Sequence, residues 1–395
     1  MQSNYTTMRA SRSADRDLAL QLAAVRALAR DVSPKAPEMR ARGARIGELV
    51  REARDEESGL ASADESESPW PARPLFRPED LAERLAWARR LRQDTQAGLV
   101  PELERAAKAG AMRRVGVPGS SLEFQELRDQ FPNFREVLDF VWKRALLAGT
   151  VAGAEFRLPP LLLDGPPGCG KTAFAERLSG WLGVPIARVD MSSLSASFSI
   201  TGLDAGYSTG NPGAIWNLLQ GECLSPVMLL DEIDKTRALN SESGSTFLLG
   251  LLEPVTACRF RDAFVGLPID ASYVQWIATS NDLSAIDAPL RSRFRVFDVR
   301  EPEGDECVHV VRSVYRALRE REAWARSFPE ELPSSVLDAL MERTARDVWQ
   351  ALEDACASAV AHGRRELRAG DVPPQRSGTT RPIGFVPVQH SRRVP

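Results

Sequence analysis

The sequence predicts an α/β fold: a parallel sheet flanked by helices, with a small helical domain after it and a helical extension before it. Three observations carry this expectation. Residues 158–172 run from an apolar segment through a glycine-rich turn into a helical pattern. Between Leu158 and Val299, short apolar runs alternate with helical patterns, as do the strands and crossover helices of a parallel sheet. From Gly304 to about Ala369 the pattern is mainly helical, with no convincing strand.

Length and composition agree. The chain has 395 residues, room for two or three domains and a sizeable core. Hydrophobic residues make up 43% and charged residues 27%, a soluble globular balance. A formal net charge of -3 gives no global attraction to nucleic acid or to an anionic membrane. No run approaches the roughly 18 apolar residues of a membrane span. Met1 to Arg9 lacks the apolar centre of a signal peptide. The five cysteines are scattered and include no C-x-x-C pair. That pattern reads as reduced thiols in a cytoplasmic protein.

In chain order, residues 1–56 form a helical extension. Leu18, Leu22, Val25 and Leu28 mark one amphipathic helix; Met39, Ile46, Leu49 and Val50 mark a weaker one. Residues 57–78 read as an acidic, proline-punctuated linker. A helical segment follows over 79–124, in which Lys108, Arg113 and Arg114 read as a solvated face. The α/β domain covers 125–302. It opens with a turn at Phe131-Pro132-Asn133-Phe134 and a helix from Arg135 with Val137, Phe140, Val141 and Ala145 on one face. By position, that segment would cover the base side of a bound nucleotide. The expected strands are Leu158–Asp164, Ile186–Met191, Val227–Leu230, Val274–Thr279 and Arg295–Val299. A helical domain over 303–372 and a tail over 373–395 rich in proline and arginine complete the chain.

Gly165-Pro166-Pro167-Gly168-Cys169-Gly170-Lys171-Thr172 matches G-x-x-x-x-G-K-[ST] between a strand and a helix. Glycines let backbone N–H groups curl around phosphates, and the helix that follows points its positive end at them. ATP is the expected ligand. Lys171 would reach the β and γ oxygens, and the Thr172 hydroxyl would hold Mg²⁺. Cys169 occupies a variable position and reads as filler, not as a redox switch.

Val227 to Glu232 is an apolar run ending in two carboxylates. Beside a phosphate loop, Asp231 would flank Mg²⁺ and Glu232 would deprotonate the attacking water. Ile277 to Asn281 is a second apolar run with a polar end. Asn281 is either a turn residue or a hydrogen-bond partner of the γ-phosphate or lytic water. Arg291 and Arg293 precede a strand. Guanidinium forks suit phosphate charge, but each arginine taken alone also fits a surface ion pair.

Taken together, these residues resemble the AAA+ ATPases, and among them most closely the ATPase module of Lon-type proteases. Tyr207-Ser208-Thr209-Gly210-Asn211-Pro212-Gly213, Leu251-Leu252-Glu253-Pro254 and Phe260-Arg261-Asp262 carry the Lon-like part. The resemblance covers about residues 125–370. It implies a homo-oligomeric ring, usually a hexamer, with each site completed by the neighbouring subunit. By position it makes Asp231 and Glu232 the Walker B pair, Asn281 sensor 1 and Arg293 the arginine finger. Arg346, within Thr344-Ala345-Arg346-Asp347-Val348, falls at sensor 2, facing the γ-phosphate. Tyr207 falls at the pore-loop aromatic; a loop aromatic with no substrate role is its alternative.

Three departures qualify the likeness. After the helical domain no room remains for a Lon-type Ser/Lys protease domain. Short helices and a linker stand where Lon has a large N-terminal domain. Ser208 follows Tyr207 where an apolar residue is usual. The expected function is an ATP-hydrolysing ring motor that remodels or threads a protein substrate or partner. An ATP-gated assembly switch is the alternative, and a nucleic-acid motor ranks last for want of a basic stripe.

Overall fold

The computed structural model describes residues 71–90, 98–150, 155–193, 197–238 and 246–375. The helices expected in 1–56, most of the acidic linker and nearly all of the tail lie outside the described residues. The chain divides into two compact units between Val310 and Val311.

The first unit is built on a five-stranded parallel sheet in the order β4-β5-β8-β3-β9. Its strands are β3 (Leu161–Asp164), β4 (Ile186–Asp190), β5 (Val227–Asp231), β8 (Gln275–Ser280) and β9 (Arg295–Asp298). All five expected strands appear. The central ones are near-continuous apolar runs because both faces of a parallel sheet are covered. Alternation within them sorts side chains to the two faces. Leu162, Met228, Leu230, Trp276 and Ala278 join one core cluster. Leu161, Leu163, Val227, Leu229 and Ile277 join the other.

The second of these clusters is closed by α3 (Ser121–Gln130), α4 (Arg135–Ala148) and α5 (Lys171–Trp181). Ser120 and Glu123 form a reciprocal capping box at the start of α3, which fixes where that helix begins. On α4, Val137, Leu138, Val141 and Ala145 are buried, close to the face read from the sequence.

The first cluster is closed in part by residues upstream of the expected α/β domain. Helices α1 (Pro78–Arg90) and α2 (Leu99–Ala109) pack on each other. They place Leu81, Ala88, Leu99, Leu103 and Ala106 in the same core as the sheet. Buried Glu102 on α2 accepts a hydrogen bond from the indole N–H of Trp216, at 2.7 Å. Trp216 lies in α7 (Ala214–Leu219), which follows a four-residue helix, α6 (Phe198–Thr201). Two ribbons complete the unit: β1 (Ala72–Pro74) with β2 (Met112–Arg114), and β6 (Phe260–Arg261) with β7 (Pro268–Ile269), both antiparallel.

In the basic cluster Lys108 and Arg114 are exposed, as a solvated face requires, but Arg113 is not. Arg113 is 3% exposed. Its guanidinium donates to the carbonyls of Gly110 at 2.8 Å and Met112 at 2.9 Å, and more distantly to those of Ala109 and Leu219. The cation satisfies carbonyls left over at the C-terminal ends of α2 and α7. Burial lowers its pKa from the usual arginine value, and nearby Glu222 offsets part of that.

Three short helices lie between the strands: α8 (Thr246–Leu252), α9 (Pro254–Ala257) and α10 (Ala288–Arg291). Helix α11 (Asp305–Arg321) crosses the boundary between the units.

The second unit is helical, as expected. Beyond α11 it holds α12 (Ser334–Asp338) and α13 (Ala345–Ala361). Val348, Ala351, Leu352, Ala355, Cys356 and Ala359 form the buried stripe of α13. Burial there pushes the Cys356 thiol up to about 11. Arg364 and Asp371 pair at 2.7 Å. Among the described residues, no helix is long and apolar enough to cross a membrane.

Candidate nucleotide site

The site lies at the carboxyl ends of β3, β5 and β8, where parallel α/β sheets place ligands. The turn from β3 into α5 spans residues 165–170. Gly168 and Gly170 have φ of 88° and 99°, a region that other residues enter only with strain. At Gly165 a Cβ would stand 2.0 Å from the Val299 carbonyl oxygen, so the turn can pass there only as glycine. The backbone is thus shaped for N–H groups to face the start of α5.

Lys171 opens α5 and is 7% exposed. Its Nζ donates to the carbonyls of Gly165 at 2.7 Å and Pro166 at 2.9 Å, and to Asn281 Oδ1 at 3.0 Å. Thr172 Oγ1 lies 3.1 and 3.2 Å from the two carboxylate oxygens of Asp231. Cys169 is buried beside Lys171; burial raises its thiol pKa, and the nearby ammonium only partly opposes that. A thiol so held stays protonated, which fits the filler reading.

Asp231 ends β5 and is 5% exposed. Thr279 Oγ1 donates to its Oδ1 at 2.5 Å, and the same hydroxyl accepts from Glu232 N at 2.9 Å. One buried side chain on β8 therefore orients both Asp231 and Glu232. Arg188 on β4 reaches Asp231 Oδ2 at 2.5 Å. Glu232 itself has φ of 57°. A non-glycine residue in that region carries strain of the order of 1 kcal/mol or more, and such strain clusters at functional positions. Asn281, just past β8, has its backbone N–H 3.4 Å from Asp234 Oδ1.

The turn before α4 covers this loop. Asn133 is 8% exposed. Its Nδ2 donates to the carbonyls of Cys169 at 3.2 Å and Arg300 at 2.9 Å. Phe131, Phe134 and Phe174 form an aromatic group whose nearest edges stand 3.8 Å from the Cβ position of Gly170.

No described hydrogen bond or ion pair joins the remaining sequence candidates to this group. Tyr207 is 65% exposed in a loop closed by the Leu203–Asn211 bridge. The carboxylate of Asp262, fully buried beside β6, accepts Gly213 N at 2.8 Å and so pins the base of that loop. Arg293 pairs with Glu253 at 2.6 Å, and Arg291 is exposed. Arg346 is exposed in the first turn of α13, in the second unit.

Lys171, Thr172, Asp231, Glu232 and Asn281 thus come together. Arg188, Thr279, Asn133 and the roles of Glu253 and Asp262 escaped sequence reasoning. Arg188 did carry a signal: it is a charged residue inside a strand that borders the one ending in Asp231. Thr279 carried a weaker one, as a polar residue two positions before Asn281 on the neighbouring strand.

The phosphate loop, Asp231, Glu232 and Asn281 fall within the span matched by a known family. The profile of the ATPase family associated with various cellular activities (AAA) matches residues 161–300. A peroxisomal Lon protease homolog 2 from Pichia angusta is 37% identical over 149 residues, 37% of this chain and 16% of that protein. Lon protease from Anaeromyxobacter dehalogenans is 28% identical over 319 residues, 70% of this chain and 38% of that protein. The chain therefore spans well under half the length of these relatives. Among solved structures, the closed state of Hsp104 with ATPγS and FITC casein aligns at TM-score 0.48 and 19% identity, over 60% of this chain and 47% of that one. Residues 161–300 are an AAA ATPase domain, a nucleotide-binding domain related to that of the Lon proteases.

Proposed function

We propose that the chain is an ATP-hydrolysing motor of the cytoplasm that assembles into a ring, usually a hexamer in this family, and remodels or threads a protein substrate or partner. One observation carries the hydrolytic part of this reading. Lys171 with Asn281, and Thr172 with Asp231, Thr279 and Glu232, form two hydrogen-bonded sets at one edge of the sheet. The donor set suits Mg²⁺–ATP: an ammonium and a glycine-shaped turn for phosphate, a hydroxyl and a carboxylate for a hard cation. When bound, Mg²⁺ would draw off charge from the β and γ oxygens.

The residues then divide the work. Lys171 exchanges the Gly165 and Pro166 carbonyls for phosphate oxygens. Thr172 and Asp231 offer oxygens to the cation. Glu232 takes a proton from the attacking water, and Asn281 orients that water or the γ-phosphate. Arg293 serves the nucleotide of the neighbouring subunit, and Arg346 the γ-phosphate from the helical unit. Tyr207 grips the substrate.

A second reading, an ATP-gated assembly switch without threading, draws support from Ser208. A polar residue beside Tyr207 leaves the loop with one exposed aromatic and no apolar partner. Glu232→Gln tests the hydrolytic reading: ATP binding is retained while turnover falls by about 10²–10⁴. Near-parental turnover would remove Glu232 as the base.

A further inference from the structure

We propose that Glu253 is a positioning residue for Arg293. It holds the guanidinium within its own subunit and competes for it with the phosphates of the neighbouring subunit's nucleotide. The inference rests on Arg293 acting as a finger.

The geometry is specific. Arg293 Nη2 lies 2.6 Å from Glu253 Oε1. Its other described bond is weak, from Nη1 to Ser292 Oγ at 3.3 Å. Its Nε is buried without a hydrogen-bond partner. Among the described residues, Glu253 therefore supplies the one charged contact of this guanidinium. An arginine does not lose its proton in a protein, so what can change is which anion it meets.

Both residues issue from fixed backbone. The Glu253 carbonyl accepts from Thr256 N at 3.0 Å and Ala257 N at 2.9 Å, which starts α9. Helix α8, just before it, packs against α10, just before Arg293. Leu251, Leu252 and Leu290 at this junction are 4%, 4% and 1% exposed. The ion pair can break and reform by side-chain rotation, with no shift of the chain.

Exposure sets its strength. The side chains are 33% and 45% exposed. A pair so wet is weak, whereas phosphate accepts a bidentate, charge-assisted fork. The pair is thus strong enough to hold the guanidinium when no phosphate is presented and weak enough to release it when one is.

The same segment reaches further. Ala271 N donates to the Ala257 carbonyl at 3.0 Å, at the foot of the β6–β7 ribbon. Asp262, in that ribbon, holds the base of the Tyr207 loop. Glu253 therefore belongs to the stretch of chain that joins the finger to that loop.

The test uses the full chain and four variants: Glu253→Gln, Glu253→Asp, Arg293→Ala and the double variant Glu253→Gln with Arg293→Ala. Sedimentation velocity with ATPγS and Mg²⁺ reads the protein concentration at half-assembly. Removing the competing carboxylate should lower that concentration about two- to fivefold, the scale of one exposed ion pair. Arg293→Ala should raise it, and in that background Glu253→Gln should have no effect. Glu253→Asp should fall between parent and Gln variant. Weaker assembly in Glu253→Gln, or the same shift with and without Arg293, overturns the inference alone. An Arg293→Ala protein that assembles and hydrolyses ATP like the parent overturns the finger reading and the inference with it.

Discussion

Lys171 Nζ and Asn281 Oδ1 meet at 3.0 Å, although 110 residues separate them in sequence. The contact exists because β3 and β8 are neighbours in register, Asp164 opposite Ser280, so their ends deliver the loop lysine and the asparagine to one point. Asn281→Ala removes that partner and leaves the loop glycines untouched. Turnover should fall about 10- to 10³-fold, the range for losing one preorganised polar group, with nucleotide affinity changed much less. A large loss of affinity with normal turnover would assign Asn281 to binding instead.

Arg188 and Asp231 share a 2.5 Å ion pair, with the Arg188 side chain 55% exposed. A guanidinium on that carboxylate competes with a divalent cation for the same oxygens. Arg188→Ala should therefore lower the Mg²⁺ concentration needed for half-maximal binding of a fluorescent ATP analogue, by about two- to fivefold. A higher Mg²⁺ requirement would mean that Arg188 orients Asp231 for the metal.

Glu102→Ala should destabilise the first unit by about 1–3 kcal/mol, because the buried Trp216 N–H loses its acceptor. Urea unfolding followed by tryptophan fluorescence measures this. Glu102→Gln keeps an acceptor and should recover most of the loss. No change in either variant would separate α2 from the core that includes α7.

In the helical unit, bonds from Arg364, then from the Arg368 backbone and Ser358, hold the Asp371 carboxyl well below the ordinary carboxylate range. A carboxylate depressed on folding contributes stability that is present above its unfolded pKa, near 4, and fades as pH falls below that. Asp371→Asn should thus unfold at a lower temperature than the parent at pH 7; the gap should begin to narrow below about pH 4 and close only as pH falls through the depressed folded pKa. A constant gap at every pH would show that packing, not charge, accounts for the difference.

Much of this architecture is legible in the sequence because its signals are local. Each central strand is an apolar run bounded by turns, and the phosphate loop has its own residue pattern. What stayed hidden depends on contacts made far along the chain. Arg113 sits in a basic cluster that reads as solvated, yet the carbonyls it satisfies include Leu219, 106 residues away. The β6–β7 ribbon has two residues per strand, too few for any period to show. Thr279 acts on Asp231 only because β8 lies beside β5. The stretch 79–124 reads as a helical segment of its own, but the core it enters is the sheet's.

The proposed function requires that each ATP site be completed by a neighbour's Arg293. Glu232→Gln keeps the finger and loses the base; Arg293→Ala keeps the base and loses the finger. Each alone should be nearly inactive. ATP turnover of an equimolar mixture, followed as phosphate release, tests this requirement. Restored turnover on mixing is the predicted result, since a Glu232→Gln subunit can lend its arginine to the intact site beside it. A mixture of the two co-assembled proteins that stays as inactive as either alone would contradict it.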